Sequence, residues 1–171
     1  MEQLRAIIRD IPDFPKPGIL FRDITPLLAD TERLPIAVRA LVEPFRAAGI
    51  TAVAGMEARG FIFGGLVADK LGVGFIPLRK PGKLPFETIS ETYELEYGMA
   101  SLEAHADALD ADDRVLVIDD LIATGGTAVA ACRLVERLGA SVAGLAFVIE
   151  LDALNGRELL GDYHVHSLLH Y

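Results

Sequence analysis

The chain has 171 residues, 51% of them hydrophobic and 24% charged, and carries a formal net charge of −9. That length and balance describe one domain over residues 1–171 with a core of its own and exclude a disordered chain. The acidic excess argues against a nucleic-acid binder, which needs a basic face.

No apolar run approaches the ~20 residues of a membrane helix. The opening MEQLRAIIRDIPDF lacks a long apolar signal core. We therefore expect a cytoplasmic protein that engages neither nucleic acid nor membrane. The single cysteine, Cys132, permits no internal disulfide and sits in a helical pattern, AVAACRLVERL.

Taken in chain order, residues 2–9 read as a short helix. Residues 11–18 hold three prolines and read as extended or turning. An amphipathic helix is expected over 32–48, with Pro35 near its start. TAVAG (51–55) is a short strand, FIFGGLVADKLG (61–72) a helix closed by Gly72, and VGFIPL (73–78) a strand. RVLVID (114–119) is a strand leading through a glycine-rich turn into a helix at about 126–138. SVAGLAFVIE (141–150) and DYHVHSLL (162–169) are the remaining strands. This alternation predicts an α/β domain with a mainly parallel sheet covered on both faces. Ligands of such sheets bind beyond the carboxyl ends of the strands.

Residues 80–98 break the alternation as a long polar stretch containing Pro81, Gly82 and Pro85. Loops of that length are commonly functional, so we expect a mobile lid. The basic cluster Arg79, Lys80 and Lys83 lies at its base.

The strongest signal is VLVIDDLIATGGT, residues 115–127. An apolar strand ends in two carboxylates, Asp119 and Asp120, which can accept hydrogen bonds from a vicinal diol. Ala123, Thr124, Gly125, Gly126 and Thr127 then offer lightly covered N–H groups and two hydroxyls at a helix start, a setting that favours an anion. A nucleoside-triphosphate P-loop is excluded, because Thr127 stands where that motif needs lysine.

This segment resembles the signature of the type I phosphoribosyltransferases, which bind 5-phosphoribosyl 1-pyrophosphate (PRPP). The resemblance implies the fold of that family: a mainly parallel central sheet flanked by helices, a flexible catalytic lid and a small N-terminal hood over about residues 1–30. It implies that Asp119 and Asp120 hold the ribose hydroxyls and that residues 123–127 hold the 5-phosphate.

Three further stretches resemble the adenine-specific branch of the family. FPKPGILFRDITPLL (14–28) is similar to its base-binding segment. There Phe21 would stack on adenine, as an aromatic face suits a flat purine, with Leu20 and Arg22 giving main-chain contacts. Leu151 would supply the other apolar face. AGMEARGFIFG (54–64) is similar to the pyrophosphate loop. This assigns Arg59 to pyrophosphate and implies a cis peptide between Glu57 and Ala58. RKPGKLPFETISETYELEYG (79–98) is similar to the lid. Arg79 and Lys83 would bind pyrophosphate, and Glu96 and Tyr97 would be catalytic.

The resemblance thus implies transfer of a phosphoribosyl group to adenine, with Mg2+ held mainly by substrate oxygens, in a homodimer. The segment 115–127 does not separate adenine from other bases; only 14–28 and 79–98 do. A PRPP-sensing regulator is the rival from another class, and the acidic charge and the retained Glu96, Arg79 and Lys83 argue against it.

Overall fold

Strands that are apolar on both sides build the centre of the molecule. The computed structural model describes residues 1–95 and 98–171. In chain order they form α1 (Glu2–Arg5), β1 (Arg9–Pro12), β2 (Leu20–Asp23), α2 (Thr25–Leu28), α3 (Arg33–Val42), β3 (Ala52–Met56), α4 (Gly60–Leu71) and β4 (Gly74–Leu78). There follow β5 (Thr88–Leu95), β6 (Gly98–His105), β7 (Arg114–Ile122), α5 (Gly126–Arg137), β8 (Ser141–Glu150) and β9 (Val165–His170). A five-stranded sheet runs in the order β4-β3-β7-β8-β9, with every neighbouring pair parallel. The α/β expectation with a mainly parallel sheet is met.

The two-residue period of β7 divides the core into two layers. Leu116 and Ile118 join the layer under α3 and α4, with Leu41, Phe63 and Val67. Val115 and Val117 join the layer under α5, with Ala131, Leu134 and Phe147. Each large side chain so buried contributes about 1.5–3 kcal/mol relative to exposure. The two layers fix the carboxyl ends of β3, β7 and β8 along one edge. Among the described residues no helix is long and apolar enough to cross a membrane.

Several elements differ from the sequence reading, each for a local reason. The helix expected over 2–9 stops at Arg5, because residues 9–12 pair antiparallel with Leu20–Asp23. Asp23 secures that pairing: it accepts from Arg9 Nη2 at 2.6 Å, Thr25 Oγ1 at 2.6 Å and the Thr25 N–H at 2.9 Å. The helix expected over 32–48 ends at Val42 and tightens into a 3-10 turn, Glu43–Phe45, which contains Pro44. Proline removes a helical donor and clashes with the preceding turn.

The largest difference lies in 80–98, where half of the expected loop is strand. Thr88–Leu95 pairs antiparallel with Gly98–His105. Ile89 and Tyr93 pack on the α5 layer, while Ser90 and Thr92 face solvent. The period of two was obscured by the polar residues that share this surface strand. The hairpin is tethered to α5, since Arg137 Nη1 donates to the Ser90 carbonyl at 2.6 Å and to Glu91 at 2.8 Å. The last strand begins at Val165 and reaches His170.

Candidate active site

β7 continues three residues beyond the Asp119 end expected from the sequence, because β8 stays beside it: Leu121 is registered with Ile149 and Ile122 with Glu150. On its other side, pairing with β3 ends at Gly55–Ile118. The acid pair therefore lies just past the end of β3, in the gap where a ligand can approach. Asp120 is buried at 5% exposure. Burial and the adjacent Asp120 carboxylate push the Asp119 carboxyl well above the usual carboxylate range. The Asp120 N–H donates to Asp119 Oδ1 at 2.8 Å.

After β7 the chain turns at Gly125, whose φ of 84° is left-handed, and enters the twelve-residue α5. Asp119, Ala123, Thr124, Gly125 and Thr127 line one cavity of about 100 Å³, together with Met56, Leu121, Ile122 and Ala128. Gly126, at the first turn of α5, is half-buried and borders a neighbouring hollow instead. The cavity unites a carboxylate, loop amides, two hydroxyls and a helix N-terminus. That donor set suits a phosphorylated sugar.

One supporting residue escaped the sequence reading. Gly156 lies against this loop so closely that a Cβ there would stand 2.1 Å from the Ala123 carbonyl oxygen and 2.8 Å from the Gly125 nitrogen. A Cβ on Gly125 would meet the Gly156 oxygen at 2.3 Å. No motif surrounds Gly156 in the sequence, so only the folded chain reveals the contact.

Arg59 caps the amino end of α4 and leans across the site. Its Nε lies 2.8 Å from Asp120 Oδ2. The approach is poorly aligned for a hydrogen bond, so Oδ2 keeps an unfilled acceptor. The Arg59 guanidinium is also 5.3 Å from the centre of the Phe21 ring. Phe14 packs edge-on against that ring at 5.1 Å. Phe21, Arg59 and Asp120, far apart in sequence, thus form one chain of contacts. Leu20 is exposed, whereas Phe21 and Arg22 are half-buried. Leu151 follows β8 and donates its N–H to the Ile122 carbonyl at 3.0 Å, which ties it to the end of β7.

The peptide between Glu57 and Ala58 is cis. The Glu57 carboxylate accepts from the Lys80 N–H at 3.1 Å and from Arg79 Nε at 3.2 Å. The Lys80 amide first, then Arg79, hold its carboxyl below the usual range. Arg79 also donates to the Lys83 carbonyl at 3.1 Å, and Lys83 itself is exposed. The base of the hairpin is thereby pinned to the turn that carries Arg59. Glu96 and Tyr97 lie outside the described residues.

Comparison with known proteins agrees with this geometry. A family model described as phosphoribosyl transferase domain matches residues 28–169. An adenine phosphoribosyltransferase of Methylococcus capsulatus is 69% identical over 171 residues, the whole length of both chains. The chain belongs to the adenine phosphoribosyltransferase family.

Another member, from Nitrosococcus oceani, is 67% identical, again over the whole of both chains. The adenine phosphoribosyltransferase of Rhodothermus marinus superposes with a TM-score of 0.96 at 54% identity, covering 99% of this chain and 97% of that one. The Saccharomyces cerevisiae family member, solved with adenine and an imino-altritol bisphosphate, superposes with a TM-score of 0.92 at 42% identity, covering 98% and 97%. The fold is that of the type I phosphoribosyltransferases, a central parallel sheet flanked by helices.

Proposed function

We infer that this chain joins adenine to PRPP, giving AMP and pyrophosphate in purine salvage. The observation that carries the reading is the full-length likeness, at 69% identity, to an adenine phosphoribosyltransferase. Asp119 and the loop of Ala123, Thr124, Gly125 and Thr127 around one cavity support it chemically.

In this reading the bond from ribose C1 to pyrophosphate breaks as adenine N9 bonds to C1 and gives up its proton. Positive charge builds on the sugar and negative charge on the leaving group. Asp119 and Asp120 accept from the ribose hydroxyls and set negative charge near the cationic ring. Ala123, Thr124, Gly125, Gly126 and Thr127 hold the 5-phosphate. Arg59, Arg79 and Lys83 neutralise the pyrophosphate. Arg59 must then leave Asp120, its partner here, as the substrate arrives. Phe21 and Leu151 flank the base, with Leu20 and Arg22 offering main-chain groups. Glu96 takes the adenine proton, and Tyr97 is the second residue assigned to catalysis. Closure of the segment 80–98 as a lid excludes water.

A magnesium ion, when bound with PRPP, offsets charge on the leaving pyrophosphate. Mg2+ usually keeps few protein ligands, and ribose and pyrophosphate oxygens would be its main ligands. Among the described residues the grouping with metal-ligand spacing is Glu150, Asp152 and His170. Arg157 already engages both Glu150 oxygens, and His170 Nδ1 bonds Asp152 at 2.9 Å, so this grouping does not compete for the role. We also place the protein in the cytoplasm as a homodimer, which light scattering would read as twice the chain mass.

The test is pyrophosphate release from PRPP. The reading requires release to depend on both adenine and magnesium. Equal release without adenine would identify a PRPP hydrolase instead.

A further inference from the structure

We propose that Tyr171 is a positioning residue for base binding, because it ties together the two segments assigned to flank adenine. The proposal rests on the phosphoribosyltransferase reading above. Tyr171 makes two separate attachments, one through its backbone and one through its ring.

The backbone attachment brackets Leu151. The Tyr171 N–H donates to the Glu150 carbonyl at 2.9 Å, and the Asp152 N–H donates to the Tyr171 carbonyl at 2.9 Å. Both sequence neighbours of Leu151 are therefore fixed to one residue. The ring attachment reaches the opposite wall. The Arg22 guanidinium lies 4.0 Å from the centre of the Tyr171 ring and the Arg5 guanidinium 4.4 Å from it. Arg5 also donates to the His170 carbonyl at 2.6 Å, and Arg22 pairs with Asp10 on β1. Two cations on one ring are a specific arrangement.

Alternation along β2 explains why this bears on the base. Side chains of neighbouring strand residues point to opposite faces. Phe21 faces Arg59, while Arg22 turns away towards Tyr171. With the Arg22 side chain clamped and only 18% exposed, the backbone of residues 20–22 is fixed from behind. Tyr171 thereby sets the spacing between Phe21 and Leu151 while touching neither the acid pair nor the phosphate loop.

Steady-state kinetics with adenine and PRPP varied separately, on Tyr171→Leu and Tyr171→Phe, test the role. Tyr171→Leu is expected to raise the adenine KM about tenfold, equivalent to ~1.4 kcal/mol, with the PRPP KM within about twofold of the unaltered enzyme. Tyr171→Phe keeps the ring and restores the adenine KM. An unchanged adenine KM in Tyr171→Leu, or equal rises for both substrates, would overturn the role. Should Tyr171→Leu fail to fold, Arg5→Leu carries the test: a rise in adenine KM alone supports the clamp, and no rise refutes it. If the unaltered protein makes no AMP, both readings fall together; if it makes AMP and these variants keep its adenine KM, only the clamp falls.

Discussion

A methyl group at position 156 has nowhere to go. Its Cβ would lie 2.1 Å from the Ala123 oxygen, so backbone must move, and the backbone that moves is the loop proposed to hold the 5-phosphate. Misplacing binding groups by about an ångström can cost 100-fold. Gly156→Ala is expected to lower kcat/KM for PRPP by about 10- to 100-fold, and a normal PRPP KM would show that the loop does not depend on this contact. Asp119 presents the opposite trade. Its carboxyl is held above the ordinary range by burial and by Asp120, so ionising it costs stability. That cost is absent below the unfolded value of 3.8 and grows as pH rises towards the folded value. Asp119→Asn should therefore abolish AMP formation yet raise Tm at neutral pH by about 2–4 °C, an advantage that vanishes in acid. A lower Tm at pH 7 would contradict this account of the site's electrostatics. For Glu96, replacement by Gln should reduce turnover by about 100- to 10,000-fold while PRPP binding persists. A near-normal rate would remove its role as proton acceptor.

At the scale of elements, the hairpin of β1 and β2 carries Phe21, and Asp23 anchors it. The Thr25 hydroxyl and amide, then Arg9, lower the Asp23 carboxyl from 3.8 to about 2. A depressed acid contributes stability above its unfolded value and loses it as pH falls through the folded one. The contribution is thus complete above about pH 4 and gone below about pH 2. Asp23→Asn should cost about 1–3 kcal/mol at pH 7 and flatten the acid limb of the stability curve. Urea unfolding at stepped pH values measures both, and parallel curves for the two proteins would show that Asp23 does not anchor the hairpin. Both surface hairpins escaped the sequence reading for one reason. Arg9–Pro12 and Thr88–Leu95 mix polar and apolar residues without a hydrophobic face strong enough to mark a strand. The strands β3, β7 and β8 were legible because burial on both faces demands continuous apolar runs.

For the whole molecule, what the sequence disclosed follows from how chemistry is distributed along the chain. The segment proposed to hold ribose and phosphate is local: Asp119 to Thr127 bring their carboxylates, glycines and hydroxyls in nine successive residues. Folding then adds contacts that no local pattern encodes. Arg59 meets Phe21 and Asp120, Gly156 backs the loop at Ala123, and Tyr171 bridges Arg22 and the neighbours of Leu151. The sheet makes this possible by ending β3, β7 and β8 along one edge, where Arg59 meets Phe21 of β2 and Glu57 meets Arg79 and the Lys80 amide. Base selection belongs to this scale, since the residues proposed to flank the base, Phe21 and Leu151, come from distant segments. The decisive measurement offers adenine, hypoxanthine, guanine and xanthine separately with PRPP and magnesium and identifies the nucleotide formed. AMP and pyrophosphate are expected from adenine alone. A nucleotide made preferentially from another base, or no turnover with any of them, would contradict it.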